Sequence, residues 1–221
     1  MRFVPHFTDG QEYSHALGKI VCVGRNYIDH AKELDNPIPS EPLLFIKPST
    51  CAVPLDAPID APFSQGTVHF ETELALLIGE KLTHATDTEA EEAVVGIGVA
   101  LDLTLRDVQS KLKEKGHPWE IAKGFDGACP LSAFLPLDRV PNWSALTFTL
   151  DIDGERRQSG EGSDMIFPVA SLLSEMSRHF TLLPGDVVLT GTPAGVGELT
   201  KGSELHFTLT GGLDLTTRVV E

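Results

Sequence analysis

Apolar residues along the chain come in short runs cut by proline and glycine, a pattern that predicts many short strands and few helices. Lys19 to Val23 reads as an apolar strand, followed by the loop Gly24-Arg25-Asn26. Tyr27 to Leu34 is a brief helix ended by Pro37 and Pro39. Leu43 to Ile46, bounded by Pro42 and Pro48, is a buried strand, and Pro54, Pro58 and Pro62 keep the next stretch extended. Thr67 to Ile78 reads as one strong strand, Thr86 to Val94 as a helix, and Val95 to Leu103 as a fully buried strand. Thr104 to Lys115 is predicted helical because Leu105, Val108 and Leu112 share one face.

In the second half, strands are predicted at Thr147 to Ile152, Val187 to Thr190, Leu205 to Thr210 and Leu213 to Val219. Asp153-Gly154 marks a hairpin, and Gly211-Gly212 a two-residue turn. One helix interrupts them, Phe167 to Phe180, with Pro168 in its first turn and a stripe of Val169, Leu172, Leu173 and Met176. This is not a βαβ series. It predicts a β-rich α+β fold on a rolled or barrel-like sheet, with a lead over residues 1–18 and one domain over residues 19–221.

Composition narrows the class. Hydrophobic residues at 41% and charged residues at 22% fit a globular domain and exclude disorder. The longest uncharged apolar run, Val94 to Leu101, is far short of the ~20 residues of a membrane span, and no apolar signal core opens the chain. Cys22, Cys51 and Cys129 are widely spaced and form no CxxC, so reduced thiols in a cytoplasmic setting are expected. A net charge of −15 argues against nucleic acid or an anionic membrane as partner. It leaves room for a small anionic substrate if a metal or a local cationic pocket attracts it.

Candidate chemistry begins at His69-Phe70-Glu71-Thr72-Glu73. On a strand, His69, Glu71 and Glu73 point the same way, and carboxylates about 7 Å apart on one face repel unless a cation lies between them. A solvated strand face is the alternative. Asp102 shifts the balance, because it lies inside the most apolar segment, where an ionised carboxylate must be paired or metal-bound. The three carboxylates suit Mg²⁺ or Mn²⁺, while pairing of Asp102 with Arg106 stays open. His30 and Glu33, spaced i,i+3, form either a general-base dyad or part of a polar surface helix. Lys123, flanked by apolar residues, either stabilises an enolate or snorkels to solvent. Leu189 to Gly197, a strand leaving into a Gly-rich loop, offers backbone N–H groups to a carboxylate but lacks the ending of a phosphate loop. Asn142-Trp143-Ser144 fits a glycosylation sequon, set aside for want of a secretion signal.

Taken in order, these segments resemble the fumarylacetoacetate hydrolase family, above all its small single-domain acylpyruvase and oxaloacetate-acting members. The resemblance runs from Val21-Cys22-Val23-Gly24-Arg25-Asn26-Tyr27, with His30 and Glu33, through Phe45-Ile46-Lys47-Pro48 and His69-x-Glu71-x-Glu73. It continues through Asp102, Arg106-Asp107-Val108-Gln109 and Lys123-Gly124-Phe125-Asp126 to Thr190-Gly191-Thr192-Pro193. It implies that Glu71, Glu73 and Asp102 hold Mg²⁺ (or Mn²⁺) and that His30 with Glu33 activates water on a lid. It implies that Lys123, Gln109 and the Thr192 loop contact a 2-oxo-carboxylate. Arg25 sits where the family pattern varies and is the least specified substrate contact. A mixed β-roll, a homodimer and a small 2-oxo acid as substrate are further expectations. The implied reactions are acylpyruvate C–C hydrolysis or oxaloacetate decarboxylation through a metal-bound enolate. The rival is isomerase chemistry: enol–keto tautomerisation of oxaloacetate, or isomerisation of a hydroxylated dienedioate. A non-catalytic carboxylate- or metal-binding domain is the third reading.

Overall fold

A computed structural model describes residues 3–33, 37–140 and 142–220. Its largest layer is a mixed eight-stranded sheet with the order Leu43–Lys47, Ile20–Gly24, Val187–Leu189, Thr72–Ile78, Val94–Leu101, Cys129–Leu131, Ala52–Pro54. Leu135–Pro136 adds to the Val94–Leu101 strand. The central strand Thr72–Ile78 is buried along its whole length. Alternate residues feed opposite clusters: Leu74, Leu76 and Ile78 pack on one face of the sheet, Ala75 and Leu77 on the other. A strand covered on both faces reads as a continuous apolar run, which is why its sequence does not alternate. The sheet curls into a half-barrel, as the β-rich α+β reading anticipates.

Five helices occur among the described residues: α1 (Ile28–Glu33), α2 (Asp87–Glu92), α3 (Arg106–Lys115), α4 (Glu120–Lys123) and α5 (Val169–His179). A capping box starts α2, in which Thr86 and Glu89 satisfy each other's backbone donors. Helix α5 starts directly after Pro168 and buries Val169, Leu172, Leu173 and Met176. None of these helices is long and apolar enough to cross a membrane. The predicted end of α1, Leu34, lies outside the described residues. The lead is not detached from the rest, since Phe7 bridges to Phe134 and packs with Phe3 and Tyr13 on the second core cluster. Cys22, Cys51 and Cys129 are free and buried.

A four-stranded antiparallel sheet (Glu155–Glu161, Thr147–Ile152, Glu204–Leu209, Leu213–Arg218) forms a second layer. Its Asp153-Gly154 hairpin has two loop residues with φ of +52° and +82°, as a type I′ turn requires. The Gly211-Gly212 turn is longer than expected. Leu209 faces Leu213, so Thr210 joins the two glycines in a three-residue loop.

Two boundaries differ from expectation in a way that builds the site. The predicted strand Thr67 to Ile78 breaks at Glu71, because Val68–Phe70 belongs to a separate three-stranded sheet with Thr104–Leu105 and Gly197–Glu198. The N–H of Thr72 donates to the side chain of Gln158 (2.9 Å) instead of to a neighbouring strand. In parallel, Val94–Leu101 ends before Asp102, Thr104–Leu105 pairs with Val68–Phe70, and α3 starts only at Arg106. Two adjacent strands thus leave one sheet for another together, and Glu71 and Asp102 stand at the corner, joined by Asp102 N–H donating to Glu71 O (2.8 Å).

Candidate metal centre and active site

The corner gathers the acids. Glu71, Glu73 and Asp102 are all buried, with one carboxylate oxygen from each within 4.8 Å of the others. Three cations surround them. Lys123 Nζ donates to Glu71 Oε2 (2.8 Å) and Asp102 Oδ2 (2.6 Å), and Arg106 pairs with Glu71 Oε1. Lys47 Nζ lies 2.7 Å from Asp102 Oδ1 and donates to Ala128 O (2.9 Å), Leu103 O (3.3 Å) and Lys123 O. Arg106 therefore serves Glu71 and not Asp102, because α3 begins beyond the corner and its first side chain reaches across to the neighbouring strand. Lys123 does not snorkel: it is buried at the end of α4.

The electrostatics follow from this packing. Burial raises the Glu71 carboxyl pKa, but Lys123 and then Arg106 outweigh it, so the group sits well below the ordinary carboxylate range. Glu73 is pushed well up, by burial first and then by the charges of Asp102 and Glu71. For Lys47 and Lys123, burial lowers the pKa, while Asp102 in each case leads the opposing effects and leaves both ammoniums raised.

The donor set fits a hard divalent cation. All three side chains offer oxygen, and Glu73 is destabilised in its charged form where positive charge would relieve it. Asp102 Oδ1 is fully buried without a well-directed hydrogen bond, since Lys47 Nζ approaches within ion-pairing distance but off the bonding direction.

Helix α1 delivers His30. The imidazole is buried and its Nδ1 lies 3.4 Å from Glu33 Oε2, while Asp29 and Lys32 point to solvent. Burial lowers the His30 pKa against the opposing pull of Glu71 and Glu33, so the neutral imidazole dominates at pH 7. Glu33 in turn accepts from Gly195 N–H (3.1 and 3.2 Å). The Gly-rich loop does bind carboxylates, but they belong to this chain: Gly191 N–H donates to Glu73 Oε2 (2.7 Å). Arg25, His30, Gln109, Lys123 and Thr192 line one cleft with the acidic trio, and Glu33 stands behind His30. Gln109 accepts from Arg106 (2.7 Å), and Thr192 accepts from Gln158 Nε2 (2.8 Å).

Three residues with a part here were given no role from sequence. Lys47 is a charge at the end of an apolar strand; reading that strand to Ile46 hid it. Gln158 occupies an inward position among exposed neighbours on Glu155–Glu161, a detectable signal. Asn26 pins the Gly24-Arg25-Asn26 loop, donating to Thr190 O (2.8 Å) and Phe167 O (3.1 Å) and accepting from Phe167 N–H (2.7 Å).

The profile described as fumarylacetoacetate (FAA) hydrolase C-terminal matches residues 19–220. The chain belongs to this family. It is 49% identical over 216 residues to the oxaloacetate tautomerase YcgM of Escherichia coli (strain K12), covering 97% of this chain and 98% of that protein. It is 42% identical over 200 residues to the mitochondrial oxaloacetate tautomerase FAHD1 of Homo sapiens, covering 90% of each. Among solved family structures, fumarylpyruvate hydrolase from Pseudomonas aeruginosa in complex with Mn²⁺ and pyruvate superposes with a TM-score of 0.90 at 37% identity. That match covers 100% of this chain and 95% of the other. Family membership makes the chain an enzyme of the hydrolase and isomerase type.

Proposed function

We propose that the protein acts on short 2-oxo acids, oxaloacetate first among them, through their enolates, with Mg²⁺ or Mn²⁺ held by Glu71, Glu73 and Asp102. The observation that carries this is the convergence of three buried carboxylates beside a neutral, carboxylate-backed imidazole in one cleft. The cation, when bound, supplies Lewis acidity that spreads the negative charge of an enolate. Lys123 bridges Glu71 and Asp102, and its ammonium faces the cleft where an oxyanion would sit. Gln109 and Thr192, each held by a partner, orient the 2-oxo-carboxylate end. His30 accepts the proton that moves, with Glu33 fixing its ring.

Two outcomes differ in what His30 deprotonates. In hydrolysis or decarboxylation the C3–C4 bond breaks, and C3 of the resulting pyruvate enolate gains a proton. In hydrolysis the imidazole takes the proton of the attacking water; the dyad, and the fumarylpyruvate hydrolase among the neighbours, support this reading. In tautomerisation of the enol a proton is removed from the C2 hydroxyl and another is added at C3, with no bond between carbons lost; relatives that are oxaloacetate tautomerases support this one. The test follows the enol absorbance of oxaloacetate with and without chelator, while pyruvate and CO₂ are assayed in parallel. Cation-dependent loss of the enol signal is expected in either case, and pyruvate formation separates cleavage from tautomerisation. A signal indifferent to Mg²⁺, Mn²⁺ and chelator would overturn the reading.

A further inference from the structure

A second cavity opens beside the acidic cleft. It is a groove of about 440 Å³, against about 40 Å³ for the space over the trio, and the two share Leu43, Phe45, Trp119 and Lys123. The strand Leu43–Lys47 explains the groove. It is the outer strand of the main sheet, with Ile20–Gly24 as its one sheet neighbour among the described residues. Its apolar side chains therefore stay partly exposed where a further strand would have covered them. Leu44, Ile46, Pro118 and Phe180 complete the apolar lining.

Helix α4 ties the groove to the chemistry. Trp119 caps its start and Lys123 ends it, one turn apart, with Lys123 N–H donating to Trp119 O (3.0 Å). Residues four apart share one face, so the ammonium that meets Glu71 and Asp102 and the indole that borders the groove are neighbours. Phe45 joins them. Its ring centre is 5.2 Å from Lys123 Nζ and 5.9 Å from that of Trp119, edge to face. A substrate chain that leaves the trio past Lys123 passes this aromatic pair and enters the groove. Charge decides what kind of chain. The Lys123 ammonium is paired with Glu71 and Asp102, and Glu120 sets an exposed carboxylate at the rim. An anionic tail is repelled there, whereas a neutral apolar one gains by leaving water.

We propose that the groove is the subsite for the acyl tail of 2,4-dioxo acids, with Phe45 and Trp119 as its threshold, so that unbranched apolar tails of several carbons are favoured over acetyl. This rests on the reading of the trio as the site that holds the 2-oxo-carboxylate end. The test measures kcat and KM for acetylpyruvate, butanoylpyruvate and hexanoylpyruvate on the Mn²⁺-loaded enzyme. Competitive Ki values against oxaloacetate are measured in parallel for pyruvate, 2-oxohexanoate and 2-oxooctanoate. Each methylene that leaves water is worth about two- to fourfold, so kcat/KM for hexanoylpyruvate is expected at least about tenfold above that for acetylpyruvate, mainly through KM. The Ki of 2-oxooctanoate should lie below that of pyruvate by a similar factor. Trp119→Gln and Phe180→Gln are each expected to cut the hexanoyl-to-acetyl ratio at least about threefold. Should neither variant fold, the Ki series on the wild type decides. A wild-type series flat within about twofold, or ratios that both variants leave unchanged, overturn this proposal and leave the metal-site reading intact. Variants that leave the ratio unchanged but split a dimer into monomers in sedimentation overturn it too, and give the groove to a second copy of the chain. A wild type that neither binds nor converts any of these acids overturns both readings.

Discussion

His30 shows how one side chain's surroundings choose its job. Its exposed helical neighbours suggest a surface residue, yet the imidazole is buried between the acidic corner and Glu33. Burial lowers its pKa below the ordinary value of about 6.5, and Glu33 opposes that shift. The acid limb of kcat/KM is therefore expected below pH about 6.5, where the imidazole first protonates. Removing the negative charge with Glu33→Gln takes away a group that raises the pKa, so the limb should move to still lower pH while the plateau rate falls about tenfold or more. A limb that moves upward would show that His30 is not the titrating base. Asp102→Asn tests the trio in the same way. It keeps the volume but loses the charge, and calorimetric titration with Mn²⁺ should show affinity reduced by at least about tenfold. An unchanged isotherm would remove Asp102 from the ligand set.

Elements were easier to foresee than the way they join. The periodicity of Phe167 to Phe180 and the apolar runs near Ile20 and Val99 become a helix and strands close to their expected limits, because propensity and burial agree there, whereas the run near Leu44, expected to be buried, forms an edge strand on which only Lys47 is buried. The breaks at Glu71 and after Leu101 were not legible, since a strand that changes sheets keeps the same local pattern and only its partners change. What allows the switch is long-range: Gln158 takes over Thr72 N–H, and nothing near Thr72 in the chain announces it. Asn26 is another such joint, linking the loop after Ile20–Gly24 to the start of α5 and to Thr190. Asn26→Ala leaves Thr190 O, Phe167 O and Phe167 N–H without that partner. Urea unfolding is expected to show a loss of about 2–4 kcal/mol, the cost of orphaning buried polar groups. Because this joint also holds Arg25 and the Gly191 turn in place, kcat/KM should fall with it; a stable variant with full activity would mean the loop positions itself.

At the scale of the whole molecule, the site is a buried charge lattice inside an acidic protein. The acids were legible because an E-x-E pair and an aspartate in an apolar run are anomalies in sequence. Their counter-charges were harder to see, since Lys47 is an ordinary-looking strand end until the fold brings it 2.7 Å from Asp102. A fully buried lysine of this kind does not stabilise simply by being paired; its removal hurts because it strands the partner. Lys47→Met keeps much of the volume while leaving Asp102 with Lys123 alone and three backbone carbonyls without their donor. The apo protein is expected to lose about 3–5 kcal/mol, read as an earlier urea midpoint. The same change leaves the trio with one more uncompensated negative charge, so a divalent cation should bind more tightly relative to the apo state. Since a ligand bound only by the folded form stabilises it by mass action, saturating Mn²⁺ should raise the Tm of Lys47→Met by more degrees than it raises that of the wild type. An equal or smaller rise would mean that Lys47 helps assemble the cation site instead of balancing it when the cation is away.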